Sequence, residues 1–155
     1  MTSVVRLPVP IATDRLRGLI DRADDPMDQL TVALVAIHAL GKLEVLRLLL
    51  ADLDLPSGCL LVRRPLSPSL HTVYLGGLTR ALAVGWLRER HRRWPVTANP
   101  HLLVSQQTAD MDTCPPVSNM VMNDIFRPLG LTPSGLRQDR ILDEARHTAD
   151  PVHLI

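Results

Sequence analysis

The spacing of apolar positions predicts a chain that is mostly helical, with two short strands near its middle. Residues 1–12, with Pro8 and Pro10, read as an extended leader. Thr13 or Asp14 can cap a short helix that runs to about Ala23 and stops at the acidic turn Asp24-Asp25-Pro26. Pro26 suits the first turn of a second helix, which repeats Leu30, Leu34 and Ile37 at helical spacing up to Ala39-Leu40, where Gly41 breaks it. A third helix is expected from about Leu43 to Leu50. Pro56-Ser57-Gly58 then turns the chain into a strand over Cys59–Arg63, and Pro65–Ser69 forms a stiff loop before a return strand over His71–Leu75. Gly76-Gly77 ends the hairpin.

Leu78 to Trp94 follows as an amphipathic helix, apolar at Leu78, Leu82 and Trp86, with Pro95 closing it. Asn99 to Ser105 reads as a short buried strand, residues 106–116 as a loop and Val117 to Leu129 as a helix. Thr132-Pro133-Ser134 starts a last helix through about Thr148. Asp150-Pro151 opens another that reaches Ile155 in less than two turns, so the chain reads as cut short.

Composition changes this picture little. With 155 residues, 46% of them hydrophobic, the chain is long enough for one domain with a real core. Aromatic residues make up 3%, so that core must be aliphatic. Cys59 and Cys114 lie in no Cys-x-x-Cys or Cys/His pattern, which predicts two small apolar residues in a reducing compartment, with a disulfide between them as the alternative. The first residues lack a basic start followed by a long apolar run, and Glu44, Arg47 and Asp52 interrupt the longest apolar stretch. A soluble, cytoplasmic protein with no membrane association is expected.

Charge matters more. Seven arginines (Arg63, Arg64, Arg80, Arg88, Arg90, Arg92 and Arg93) stand between residues 60 and 93 against the single Glu89, while both flanking segments are acidic. Such a basic middle suits a polyanion-binding face; a solvated helix end whose arginines complement the helix dipole accounts for it equally well. Most other chemistries lack their signatures. There is no Gly-rich phosphate loop, no G-x-S-x-G and no H-E-x-x-H, and none of the six histidines stands four residues from another. No metal or cofactor is expected, and His38 reads as a core or edge histidine.

One order of elements is more telling than any of these residues. A helix carries Glu44 and ends at Asp52-Leu53-Asp54, and the strands Leu60–Arg64 and His71–Leu75 follow at once. This order resembles the opening of the catalytic domain of tyrosine recombinases, the phage-type integrases. The resemblance implies an α+β fold, mainly helical, with helices around a small antiparallel hairpin or three-stranded sheet. It spans residues 26–155, behind a leader and short helix over 1–25. It also implies double-stranded DNA as a partner, with further copies of the chain or a full-length recombinase as protein partners.

Those enzymes cleave DNA with a tyrosine while two arginines, a histidine or tryptophan and a lysine neutralise the phosphoryl oxygens. Position by position, the implied apparatus is thin. Glu44 and Asp52 keep the family's mutual spacing, but the first arginine's place holds Gly41, with Lys42 as the nearest cation. Lys42 is the chain's only lysine, so the hairpin offers Arg63 and Arg64 instead, which suit a phosphate contact and not proton donation. Ser134-Gly135-Leu136-Arg137 resembles the motif of the second arginine, which makes Arg137 the one matching catalytic position, and Arg140 a further candidate for DNA contact. The sole tyrosine, Tyr74, stands in the hairpin, where an ordinary packed strand aromatic is expected. A cleavage-incompetent relative that binds DNA weakly is therefore expected; a small helical interaction module with no nucleic-acid role is the alternative.

Overall fold

The computed structural model describes residues 13–64, 69–135 and 137. Asp25 caps α2 (Pro26–Ala36), its carboxylate accepting from the Met27 N–H, and Pro26 fills the first turn where no N–H partner is needed. From Leu30 to Ala36 every residue of α2 is buried, which makes it the central helix of the fold. α1 (Thr13–Arg22) packs on it and adds Leu19 and Ile20 to the same core. α4 (Gly77–Arg93) also packs against α2.

α3 (Lys42–Leu46) is much shorter than the helix expected over Leu43–Leu50. Leu48 to Leu50 leave the helix because a neighbouring segment takes their backbone groups. The Leu50 N–H donates to the Pro100 carbonyl (2.8 Å) and the Leu102 N–H to the Leu48 carbonyl (2.9 Å), around a single bridge between Leu49 and His101. Residues 99–105 thus form that one bridge in place of the expected strand, although Leu102, Leu103 and Val104 are buried as their pattern required.

A 3-10 turn (Leu50–Asp52) leads into an antiparallel sheet of β1 (Leu53–Asp54), β2 (Cys59–Arg63) and β3 (Leu70–Tyr74), in that order. β3 begins one residue earlier than expected. Leu60 pairs with Val73, so both point inward with Val62 and join the common core. The two-residue β1 is too short to leave a periodic signal. α5 (Gln106–Ala109) forms one turn within the expected loop, capped by Ser105. α6 (Asn119–Phe126) and a 3-10 turn (Arg127–Leu129) occupy the helix expected over 117–129, and residues 133–135 and 137 are helical. The expected helix over 134–148 and the one opened by Asp150-Pro151 otherwise lie outside the described residues. The fold is mainly helical with a small antiparallel sheet, in the α+β class.

Two expectations about facing are corrected. α4 buries Thr79, Ala83, Trp86 and Arg90: Trp86 faces inward as expected and Leu82 packs partly buried against the core, whereas Leu78 is exposed. The His38 imidazole meets the Thr79 hydroxyl of α4 at 3.0 Å. Tyr74 is not packed: it is 74% exposed on the outward side of β3. Among the described residues no helix is long and apolar enough to cross a membrane.

Candidate nucleic-acid interface

The candidate site is built at the junction between α2 and α3. α2 ends after Ala36, and Ala39 then takes a left-handed backbone conformation (φ 57°), rare for a residue with a Cβ. Leu40 is buried, and its N–H donates to the Leu34 carbonyl at 3.2 Å. Gly41 is extended, and its N–H donates to the Glu44 carboxylate at 2.7 Å, which closes the start of α3. Arg137, 98 residues from Ala39 in sequence, donates from Nε to the Ala39 carbonyl at 3.1 Å. A Cβ on Gly41 would stand 3.2 Å from Glu44 Oε1 and 3.4 Å from Arg137 Nε. Lys42 leaves this group and donates to Asn123 Oδ1 of α6 at 3.3 Å.

Gly41, Glu44 and Arg137 are therefore brought together, and Lys42 adjoins them in the chain with its ammonium directed to α6. Arg137 pairs with no carboxylate among the described residues. Among the described residues its two terminal nitrogens have no acceptor.

Arg63 and Arg64 stand at the end of β2. The Asp52 carboxylate is buried and accepts from the Leu49 N–H at 2.9 Å and from the Arg63 guanidinium in a short ion pair. Arg63 is thus held from beneath by a counter-charge, whereas Arg64 is exposed with no partner among the described residues. Arg140 lies outside the described residues.

The basic middle segment is no continuous face. Arg80 donates to the Leu55 carbonyl at 2.8 Å. Arg90 is only 7% exposed and donates to the carbonyls of Asn99 (2.7 Å) and His101 (2.9 Å). Arg92 and Arg93 both grip Glu89, whose carboxyl their hydrogen bonds, Arg92 first, pull down to about 2. Arg93 also reaches Asp25 at the start of α2. Neither of the two earlier readings of this stretch holds as a whole: Arg90 serves the interior, and most of the others are paired within the molecule.

Sequence reasoning missed a polar hub behind α4. Asn99 is buried and donates from Nδ2 to the carbonyls of Thr108 (2.9 Å) and Pro115 (2.8 Å). Its Oδ1 must then be the acceptor for the His101 backbone N–H (3.0 Å) and for His101 Nδ1 (2.8 Å). Burial lowers the pKa of His101, against the pull of a hydrogen bond with the Cys114 backbone. Ser105-x-x-Thr108, a helix-start pattern, was the only sequence trace of this hub. Cys59 and Cys114 are free thiols, and the described residues contain no group of three metal-type side chains.

No protein-family model matches the chain, and no curated protein does either. Solved structures do. The crystal structure of XerA recombinase superposes with a TM-score of 0.71 at 22% identity, over 94% of this chain and 54% of that one. XerH site-specific recombinase, bound to its difH substrate before cleavage and to palindromic difH after cleavage, gives a TM-score of 0.65 at 20% identity in each complex. Each XerH match covers 92% of this chain and 44% of the other, so the chain spans about half the length of the recombinases it matches. At this identity the likeness is one of fold: the chain has a tyrosine recombinase-like fold.

Proposed function

We propose that this chain is a recombinase-fold protein that binds double-stranded DNA weakly and does not cut it. The observation that carries the reading is Arg137. It is held by its Nε at the α2–α3 junction with its terminal nitrogens left over, beside a position, Gly41, that carries no side chain. A guanidinium fixed this way offers a two-pronged contact to a phosphate. Arg64, and Arg63 through the part of its side chain that Asp52 leaves exposed, add charge at the end of the hairpin. Two XerH neighbours are complexes with DNA substrates, which favours the same ligand here.

Cleavage needs more than a phosphate clamp. The positions that resemble the family's carry no first arginine and no hairpin lysine, and the one tyrosine points outward from β3. Loss of one preorganised donor typically costs about 100- to 1000-fold in rate, and covalent catalysis without a placed nucleophile does not proceed. The reading that the chain is an interaction module draws on the internally paired arginines of α4.

Incubation of the purified chain with a nicked suicide duplex, followed by a denaturing gel, tests the inactivity. The expected result is no covalent protein–DNA adduct. An adduct that disappears in Tyr74→Phe would make Tyr74 a nucleophile and end this reading.

A further inference from the structure

We infer that the Ala39–Gly41 backbone is a cradle that positions Arg137, with the left-handed turn at Ala39 as its working part. The inference rests on the DNA-binding reading for its purpose, and on geometry alone for its existence. Ala39 is pinned on both sides: the His38 imidazole meets Thr79 of α4 at 3.0 Å, while Leu40 is buried and bonded through its N–H to Leu34. Between these anchors the backbone adopts φ 57°, which disfavours any residue with a Cβ. That conformation accompanies the Ala39 carbonyl's bond to Arg137 Nε. Gly41 adjoins it: a Cβ there would lie at ordinary contact distance, 3.4 Å, from Arg137 Nε and tighter, 3.2 Å, against the Glu44 oxygen that closes α3. The Nε bond removes one of the guanidinium's freedoms and leaves its forked end for an anion. Ala39 is thus a positioning residue for a contact it does not itself make.

A lysine cannot fill this role, since one ammonium cannot be anchored at a stem nitrogen and still present two parallel donors. β-Branched side chains tolerate a left-handed backbone worse than alanine, and glycine tolerates it freely. Two measurements follow. In ¹⁵N–¹H spectra of the free protein, an Arg137 Nε–H signal, assigned by its loss in Arg137→Lys, is expected to exchange slowly with water. It should persist in Ala39→Gly and vanish in Ala39→Val. Rapid exchange in the wild type, or persistence in a folded Ala39→Val, overturns the cradle. Duplex-DNA titration gives the second reading, which stands if Ala39→Val does not fold. Arg137→Lys is expected to lose as much affinity as Arg137→Ala, and wild-type binding by Arg137→Lys overturns the inference because charge alone would then suffice. If the wild type binds no duplex, the DNA reading fails, and the wild-type exchange measurement still decides the cradle: slow exchange of the Arg137 Nε–H supports it and rapid exchange overturns it.

Discussion

Asp28 stands in the first turn of α2, where the helix dipole favours a carboxylate, yet its surroundings oppose the charge. Burial, then the neighbouring Asp25 and Asp24, raise its pKa to about 6, against the pull of Arg93. A carboxyl raised in the folded state holds its proton more tightly there than in the unfolded chain. Its contribution is therefore most favourable in acid and is lost as pH rises from its ordinary value of 3.8 through about 6. Asp28→Asn is expected to stabilise the protein at pH 7.5 by about 1 kcal/mol after allowance for solvent screening. The gain should close towards pH 4, and paired thermal melts at the two pH values measure it. The sequence displays the Asp24-Asp25-Pro26 turn but not this conflict, because its leading cause, burial of the Asp28 carboxyl, is set by tertiary packing. Glu44 and Asp52 are similar. Their spacing is legible, but each carboxylate's closure of a turn three residues earlier depends on where the chain enters.

At the scale of elements, hydrophobic spacing located the sheet and the long helices because α2, α4, β2 and β3 each contribute apolar side chains to one common core. It failed where backbone pairing between distant segments overrode local preference, as in the early end of α3. It also placed Leu78 inward, whereas Leu78 is exposed and the buried stripe of α4 includes the polar Thr79 and Arg90 beside the expected Trp86. Trp86 is the side chain that ties α4 to the 99–105 segment: it is fully buried, and its indole N–H donates to the Leu102 carbonyl at 2.9 Å. Trp94 packs edge-on against it, the ring centres 6.4 Å apart. Trp86→Phe keeps most of the apolar contact and orphans that carbonyl, so a loss of about 1–2 kcal/mol is expected. Trp86→Ala also opens a cavity, for an expected loss of about 3–5 kcal/mol. Urea unfolding of the two variants separates the hydrogen bond from the packing.

Across the whole molecule, the candidate site is assembled from segments that no local pattern connects. Arg137 could be picked out as the one arginine in a recombinase-like motif, yet its partner, the Ala39 carbonyl, depends on the return of the chain after α6. The cluster of seven arginines, conspicuous in sequence, is largely absorbed in three dimensions by Asp52, Glu89, Asp25 and main-chain carbonyls. DNA affinity is thus expected to come from a few cations, with Arg137 foremost among them, and to be weak. The most direct measurement is a duplex-DNA titration of the wild type and Arg137→Ala across a series of salt concentrations. Each phosphate contact contributes about 0.9 to the slope of log affinity against log salt. The expected result is measurable low-salt binding by the wild type, with a lower affinity and a slope flatter by about 0.9 in Arg137→Ala. Absence of binding at low salt, or an unchanged slope in the variant, contradicts the account.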